Sequence, residues 1–250
     1  MALVVKEVYA KSVLSRSGIE GISYTVNPYT GCSHGCRYCY ATFMKRYTGH
    51  PEAWGEFVDV KLNAPLLLAG KLSRVPRGTV ILSSVTDPYQ RVEAKYKLTR
   101  ACLMTLSNYD FPVEILTKSP LVLRDMDVIV KCSQIEVGFT ITTDDDRIRR
   151  ILEPQAPSIE QRIRALQGLH EKGIRTYVFI GPVLPMHPEI LVRRIRPYVD
   201  RVMIDSMNYP SKTIGIYRAL HLDQWLNPDH VNSIIEALRQ GLGAVPVEIC

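Results

Sequence analysis

The sequence has no acidic excess, no long apolar run and very little tryptophan. Lys and Arg number 31 against 25 Asp and Glu, giving a net charge of +6 and a pI near 9.0. This balance argues against an acidic solvating chain and favours an anionic partner such as nucleic acid. No apolar stretch reaches the roughly 20 residues of a membrane-spanning helix, so no membrane association is expected. The opening Met1-Ala2-Leu3-Val4-Val5-Lys6-Glu7 lacks a basic segment followed by a long apolar one, and no signal peptide is expected. The histidines (34, 50, 170, 187, 221 and 230) show no H-x-x-x-H or H-E-x-x-H spacing, so none is assigned to a metal. Six cysteines, half of them in one short segment, suit a reducing cytoplasm better than a disulfide scaffold.

The rest of the composition is that of a globular chain. Of 250 residues, 46% are hydrophobic, and the mean hydropathy is -0.02. One domain over residues 1–250 is expected, since single α/β barrels of this size are routine. Buried strands are read at Thr79-Val80-Ile81-Leu82, Val113 to Thr117, Ile135 to Ile141, Thr176 to Ile180 and Arg201 to Ile204. Leu66 to Leu72, Arg100 to Leu106 and Ile159 to His170 carry apolar residues at i, i+3, i+4 and read as helices. Ser158 with Gln161 has the form of a capping box, and Gly173 marks a helix stop. Asn227-Pro228 opens a late helix through Leu238. Residues 208–226 read as a loop or short helices. Alternation of strand and helix at this pitch indicates repeated βα units around a parallel sheet.

The most specific feature is Cys32-Ser33-His34-Gly35-Cys36-Arg37-Tyr38-Cys39. Thiolate is the usual ligand of iron–sulfur clusters, and three at spacing C-x3-C-x2-C can each hold one iron of a 4Fe–4S cubane. The loop offers no fourth cysteine, so one iron stays open to a small molecule. Zinc is the alternative, with His34 as a fourth ligand, although His34 is close in sequence for a tetrahedral site. A disulfide would leave one cysteine over in a small strained ring.

The motif, with Tyr38 just before its last cysteine, resembles the signature of the radical S-adenosylmethionine enzymes. Asn27-Pro28-Tyr29-Thr30-Gly31, Thr86-Asp87-Pro88-Tyr89-Gln90 with Glu93, Thr117-Lys118-Ser119, Arg124-Asp125, and Glu153-Pro154 with Ala156-Pro157-Ser158 and Arg162 follow in order. This set is similar to the spore photoproduct lyase-like branch, often labelled "DNA repair photolyase", over about residues 22–185. The resemblance implies a partial (β/α)6 barrel, with a core at about 22–206, an extension at 207–250 and the cluster loop after a first strand near Tyr24–Tyr29. It also implies a 4Fe–4S cluster on Cys32, Cys36 and Cys39, and S-adenosyl-L-methionine on the open iron. The chemistry implied is reductive cleavage to a 5′-deoxyadenosyl radical that takes hydrogen from a substrate, with a flavodoxin- or ferredoxin-like protein as reductant.

Beyond the cysteines, the resemblance points to Tyr38, Asp87, Lys118 and Glu153 as cofactor-binding residues, and their place at the ends of strands adds Ser84 and Thr140, whose hydroxyls would face the barrel mouth. Read from residue type alone, Asp87-Pro88 is first of all a turn, Lys118 a surface lysine at a strand end and Thr140 good strand material. In the branch, a cysteine just past the second strand returns a hydrogen atom to the product. Ser84 stands at the matching position here, and a serine O–H is too strong a bond to be a good hydrogen-atom donor. A nucleic-acid base or lesion is the first expected substrate, and a peptide or small metabolite the second. A non-enzymatic zinc-binding module that contacts nucleic acid or protein is the reading from another class.

Overall fold

The computed structural model describes residues 3–250. The chain divides into two compact units. The first takes the chain up to Gly35 and then Ala41–Val137; the second takes Cys36–Tyr40 and Gly138–Cys250.

The first unit holds β1 (Val4–Val8), β2 (Leu14–Arg16), β3 (Tyr24–Val26), β4 (Tyr29–Thr30), β5 (Phe57–Lys61), α1 (Ala64–Leu72), β6 (Val80–Leu82), α2 (Glu93–Tyr96), α3 (Leu98–Asn108), β7 (Val113–Thr117) and α4 (Met126–Ile129). The strand β8 (Ile135–Thr140) begins in this unit and ends in the second. β3 pairs in parallel with β6, and β6 with β7 (Tyr24 opposite Val80, Val80 opposite Val113), while β2 runs antiparallel to β3. β6 is buried at every position, as a continuous apolar run should be in a parallel sheet. β1, β5 and β4 form a separate three-stranded sheet, β1 parallel and β4 antiparallel to β5. Tyr29, Val58, Val60, Val92 and Leu98 pack together in its core.

The strand expected over Tyr24–Tyr29 is therefore two strands in two sheets. Pro28 has no N–H to offer a ladder. Asn27 turns its side chain to the chain after β6, where its Oδ1 accepts from Ser84 N at 3.1 Å and Val85 N at 3.3 Å.

The second unit continues from β8 into α5 (Asp146–Leu152), α6 (Ile159–His170), β9 (Arg175–Ile180), α7 (Pro188–Ile195), β10 (Arg201–Ile204), α8 (Ile214–Ala219), α9 (Pro228–Leu242) and β11 (Val247–Ile249). β9, β10 and β11 are parallel neighbours. α6 starts with the expected capping box: Gln161 N donates to Ser158 Oγ at 3.2 Å, and Ser158 N donates to Gln161 Oε1 at 3.0 Å. Its buried face carries Ile159, Ile163, Leu166 and Leu169 at helical spacing. α9 is capped by Asn227 and runs one turn past Leu238. Residues 208–226 contain α8 between short 3-10 turns.

In chain order, β3, β6, β7, β8, β9 and β10 alternate with helices, the six-unit α/β sequence expected. Several arginines of the second unit are engaged in ion pairs. Arg147 meets Asp145, Arg149 and Arg150 meet Asp146, and Arg194 meets Glu160.

Candidate active site

The cysteine loop is fed by β4. The Tyr29 hydroxyl donates to the carboxylate of Glu93, which is wholly buried and also accepts from Thr99 N at 3.0 Å and from Arg124 at 2.7 Å. Burial, and then the Glu93 carboxylate, push the Tyr29 phenol well up, so it stays a donor. Gly31 follows with φ +86°, and a Cβ there would lie 2.4 Å from the Phe57 carbonyl oxygen, so only glycine fits. Gly35 sits at φ +60° against Gly55, where a Cβ on Gly55 would come within 2.7 Å of Gly35 Cα.

Around the first half of the loop, the chain after β6 supplies the contacts. Ser33 N donates to Gln90 Oε1 at 2.8 Å. The Asp87 carboxylate is buried and accepts from Tyr89 N at 2.8 Å, Thr117 Oγ1 at 2.6 Å and Lys118 N at 2.8 Å. His34 Nε2 lies 3.2 Å from Asp87 Oδ2, off the line of a good hydrogen bond. Burial alone would raise the Asp87 pKa. The His34 ring and these donors outweigh burial and hold it at about 2. The carboxylate thus ties the end of β7 to the loop after β6. Lys118 and Ser84 are half-buried on the same two segments.

Among the described residues, Ser33 Oγ, His34 Nε2 and Ser83 Oγ are among the buried polar atoms of this unit without a good hydrogen-bond partner. Ser83 also sits at φ +68°, a conformation that a serine adopts only when its surroundings impose it. Residue type points to Ser83 and Ser84 equally; the strained backbone and orphaned hydroxyl single out Ser83.

The second half of the loop is held by its own unit. Arg37 N donates to Leu152 O at 2.8 Å, and Cys39 N to Cys36 O at 3.2 Å. The Tyr38 hydroxyl donates to Glu153, whose carboxylate also takes Thr142 Oγ1 at 3.0 Å and the Arg162 guanidinium. Glu153 and Arg162 are both wholly buried. Arg162 reaches further, donating to Thr140 O at 3.0 Å and Pro157 O at 3.1 Å. Burial, and then Glu153, push the Tyr38 phenol well above its ordinary range. Arg162, beside Glu153, stays charged despite its burial. Glu153 thus joins Tyr38 to Arg162, and Arg162 carries the link on to the Thr140 carbonyl; sequence reasoning gave Arg162 no role of its own.

None of the six cysteines forms a disulfide; Cys32 and Cys36 are buried and Cys39 half-buried. Among the described residues, no group of three or more His, Cys, Asp or Glu side chains forms a ready-made metal site. In its donor chemistry, three soft thiols and no carboxylate, the loop sequence fits an iron–sulfur group better than a hard cation.

Comparison with known proteins places the chain. The Radical SAM superfamily profile matches residues 26–193. An uncharacterized protein of Methanocaldococcus jannaschii is 38% identical over 204 residues, covering 81% of this chain and 77% of that one. A radical SAM Nalpha-GlyT isomerase of Pseudomonas phage M6 is 25% identical over 161 residues, covering 63% of this chain and 32% of that protein. Spore photoproduct lyase complexed with dinucleoside spore photoproduct has the same fold, with a TM-score of 0.69 at 12% identity, over 98% of this chain and 81% of that one. Streptococcus suis SuiB bound to precursor peptide SuiA superposes with a TM-score of 0.58 at 13% identity, over 100% of this chain and 49% of that one.

Proposed function

The chain belongs to the radical SAM superfamily of enzymes, and we propose that Cys32, Cys36 and Cys39 hold its 4Fe–4S cluster and that its substrate is a nucleic-acid base or lesion. Enzyme membership sets aside the reading as a non-enzymatic zinc module. The observation that carries the proposal is the C-x3-C-x2-C loop, without a disulfide, lying inside the span matched by the family. With cluster and S-adenosylmethionine bound, the chemistry supplied is reductive cleavage to a 5′-deoxyadenosyl radical and hydrogen abstraction from the substrate.

The protein's own residues bind and orient. Tyr38, Glu153 and Arg162 fix the backbone of the loop's second half, and Thr140 is the strand position they secure. Asp87 fixes the loop after β6, so that Ser84 and Lys118 sit on a rigid support. Lys118 is the cation proposed for the carboxylate of S-adenosylmethionine. The proposed core is residues 22–206, with 207–250 as an extension, and the electron donor is a flavodoxin- or ferredoxin-like protein. Among the described residues no helix is long and apolar enough to cross a membrane; a cytoplasmic setting is proposed from the cysteine usage.

The substrate class is supported by the positive charge and by the segment after the cysteine loop. There Phe43 and Tyr47 are exposed, Tyr47 by 70%, with the Arg46 guanidinium about 6 Å from each ring. Phe43 and Arg46 line an open surface hollow together with Lys45 and His50. Exposed rings beside cations are what single-stranded nucleic acid stacks and pairs on. The lyase with its bound dinucleoside points the same way, while SuiB with its peptide keeps a peptide substrate as the second reading.

The test is anaerobic reconstitution with iron and sulfide, reduction, and assay for 5′-deoxyadenosine. Formation of 5′-deoxyadenosine supports the reading; a fully loaded protein that makes none contradicts it.

A further inference from the structure

Gln90 is wholly buried and holds the backbone on both sides of Cys32. Its Oε1 accepts the Ser33 N–H at 2.8 Å. Its Nε2 donates to the Gly31 carbonyl at 3.1 Å and to Thr86 Oγ1 at 2.7 Å. Thr86 in turn donates its hydroxyl proton to the same Gly31 carbonyl at 2.6 Å. Gln90 thus accepts from the peptide after Cys32 and donates to the peptide before it. A primary amide of this length does both at once, whereas a carboxylate cannot donate and an apolar chain can do neither. The clamp comes from 57 residues away along the chain. Gly31, pinned against Phe57, leaves the loop little freedom on its other side.

We propose that Gln90 is the positioning residue for the Cys32 thiolate. It fixes the two peptide planes that aim the sulfur, and it occupies the Ser33 N–H so that this donor does not turn to a cluster sulfur. This rests on the reading of Cys32 as a cluster ligand. Hydrogen bonds to cluster sulfurs set reduction potential. A donor released towards sulfur stabilises the reduced, more negative state and raises the potential. Outer-sphere partners that orient a ligand also govern how tightly the metal is held.

The experiment uses Gln90→Met, which keeps length and loses every hydrogen bond, and Gln90→Glu, which keeps only the acceptor for Ser33. In the metal-free full-length protein, alkylation of each cysteine by N-ethylmaleimide is followed by mass spectrometry. Cys32 is expected to react about tenfold faster in Gln90→Met, with Cys132 and the exposed Cys250 unchanged as internal references and Gln90→Glu falling between. In the reconstituted protein, iron is expected to leave for a chelator about tenfold faster, and the midpoint potential to move upward. Unchanged Cys32 reactivity and an unchanged potential would overturn the proposal. If Gln90→Met fails to fold, Thr86→Val removes one leg of the clamp and is expected to shift the same readouts less, in the same direction. If the wild-type protein takes up no iron, the cluster reading fails, and the alkylation rates still decide whether Gln90 positions Cys32.

Discussion

Arg162 and Glu153 form an ion pair in which neither side chain reaches solvent. The pair lies nine residues apart along the chain, and through Tyr38 it also holds the cysteine loop. Removing one partner leaves a buried charge without its counter-charge. Arg162→Met is therefore expected to cost about 3–5 kcal/mol of folding stability. Glu153→Met with Arg162→Met together is expected to recover a large part of it. Urea unfolding of the two variants and the wild type checks both statements. Equal loss in the single and double variants would show that the pair is not the source.

Asp87 gives a pH dependence of definite sign. Its folded-state value of about 2 lies below the ordinary 3.8, so the folded state favours the ionised form. The resulting stabilisation is fully present above about pH 4 and is lost as pH falls towards 2. It amounts to about 2 kcal/mol at neutral pH. Asp87→Asn is expected to be destabilised at pH 7 and to converge on the wild type near pH 2. Urea midpoints measured from pH 2 to 7 report this, and a gap that stays constant with pH would refute it.

Substrate class can be tested by salt. Binding of a single-stranded oligonucleotide is expected to weaken linearly with the logarithm of salt concentration, with a slope of about 0.7 per phosphate contacted. Arg46→Ala is expected to lower that slope by about one contact, and Tyr47→Ala to weaken binding by about 1–3 kcal/mol with the slope unchanged. Fluorescence anisotropy at several salt concentrations measures both. Affinity independent of salt would favour a peptide or small metabolite.

The parts of the molecule legible in sequence are those written locally. Val80-Ile81-Leu82 and Val113 to Thr117 announce themselves as β-branched apolar runs, and Ser158 with Gln161 spells its own cap. The three-cysteine spacing is likewise complete within eight residues. β1 was not legible, because its middle residues Val5, Lys6 and Glu7 are exposed and its partner β5 lies some fifty residues away. β11 is three residues long and exists only because β10 offers an edge. Position Tyr24–Tyr29 reads as one strand until Pro28 and the Asn27 side chain divide it. In the site, Tyr38 and Glu153 are 115 residues apart, and no spacing rule connects them. Nor does the residue type of Ser83 reveal its left-handed backbone. Gln90 stands in a recognisable block, yet its role depends on where its amide points, which only the fold determines.

The account turns on an iron that the protein leaves open for S-adenosylmethionine. The most direct measurement is the electron paramagnetic resonance spectrum of the reduced, reconstituted protein before and after adding S-adenosylmethionine, alongside Cys32→Ala, Cys36→Ala and Cys39→Ala. The expected result is a 4Fe–4S signal that changes on addition in the wild type and is absent from all three variants. A signal indifferent to S-adenosylmethionine, or one that survives loss of any of the three cysteines, would contradict it.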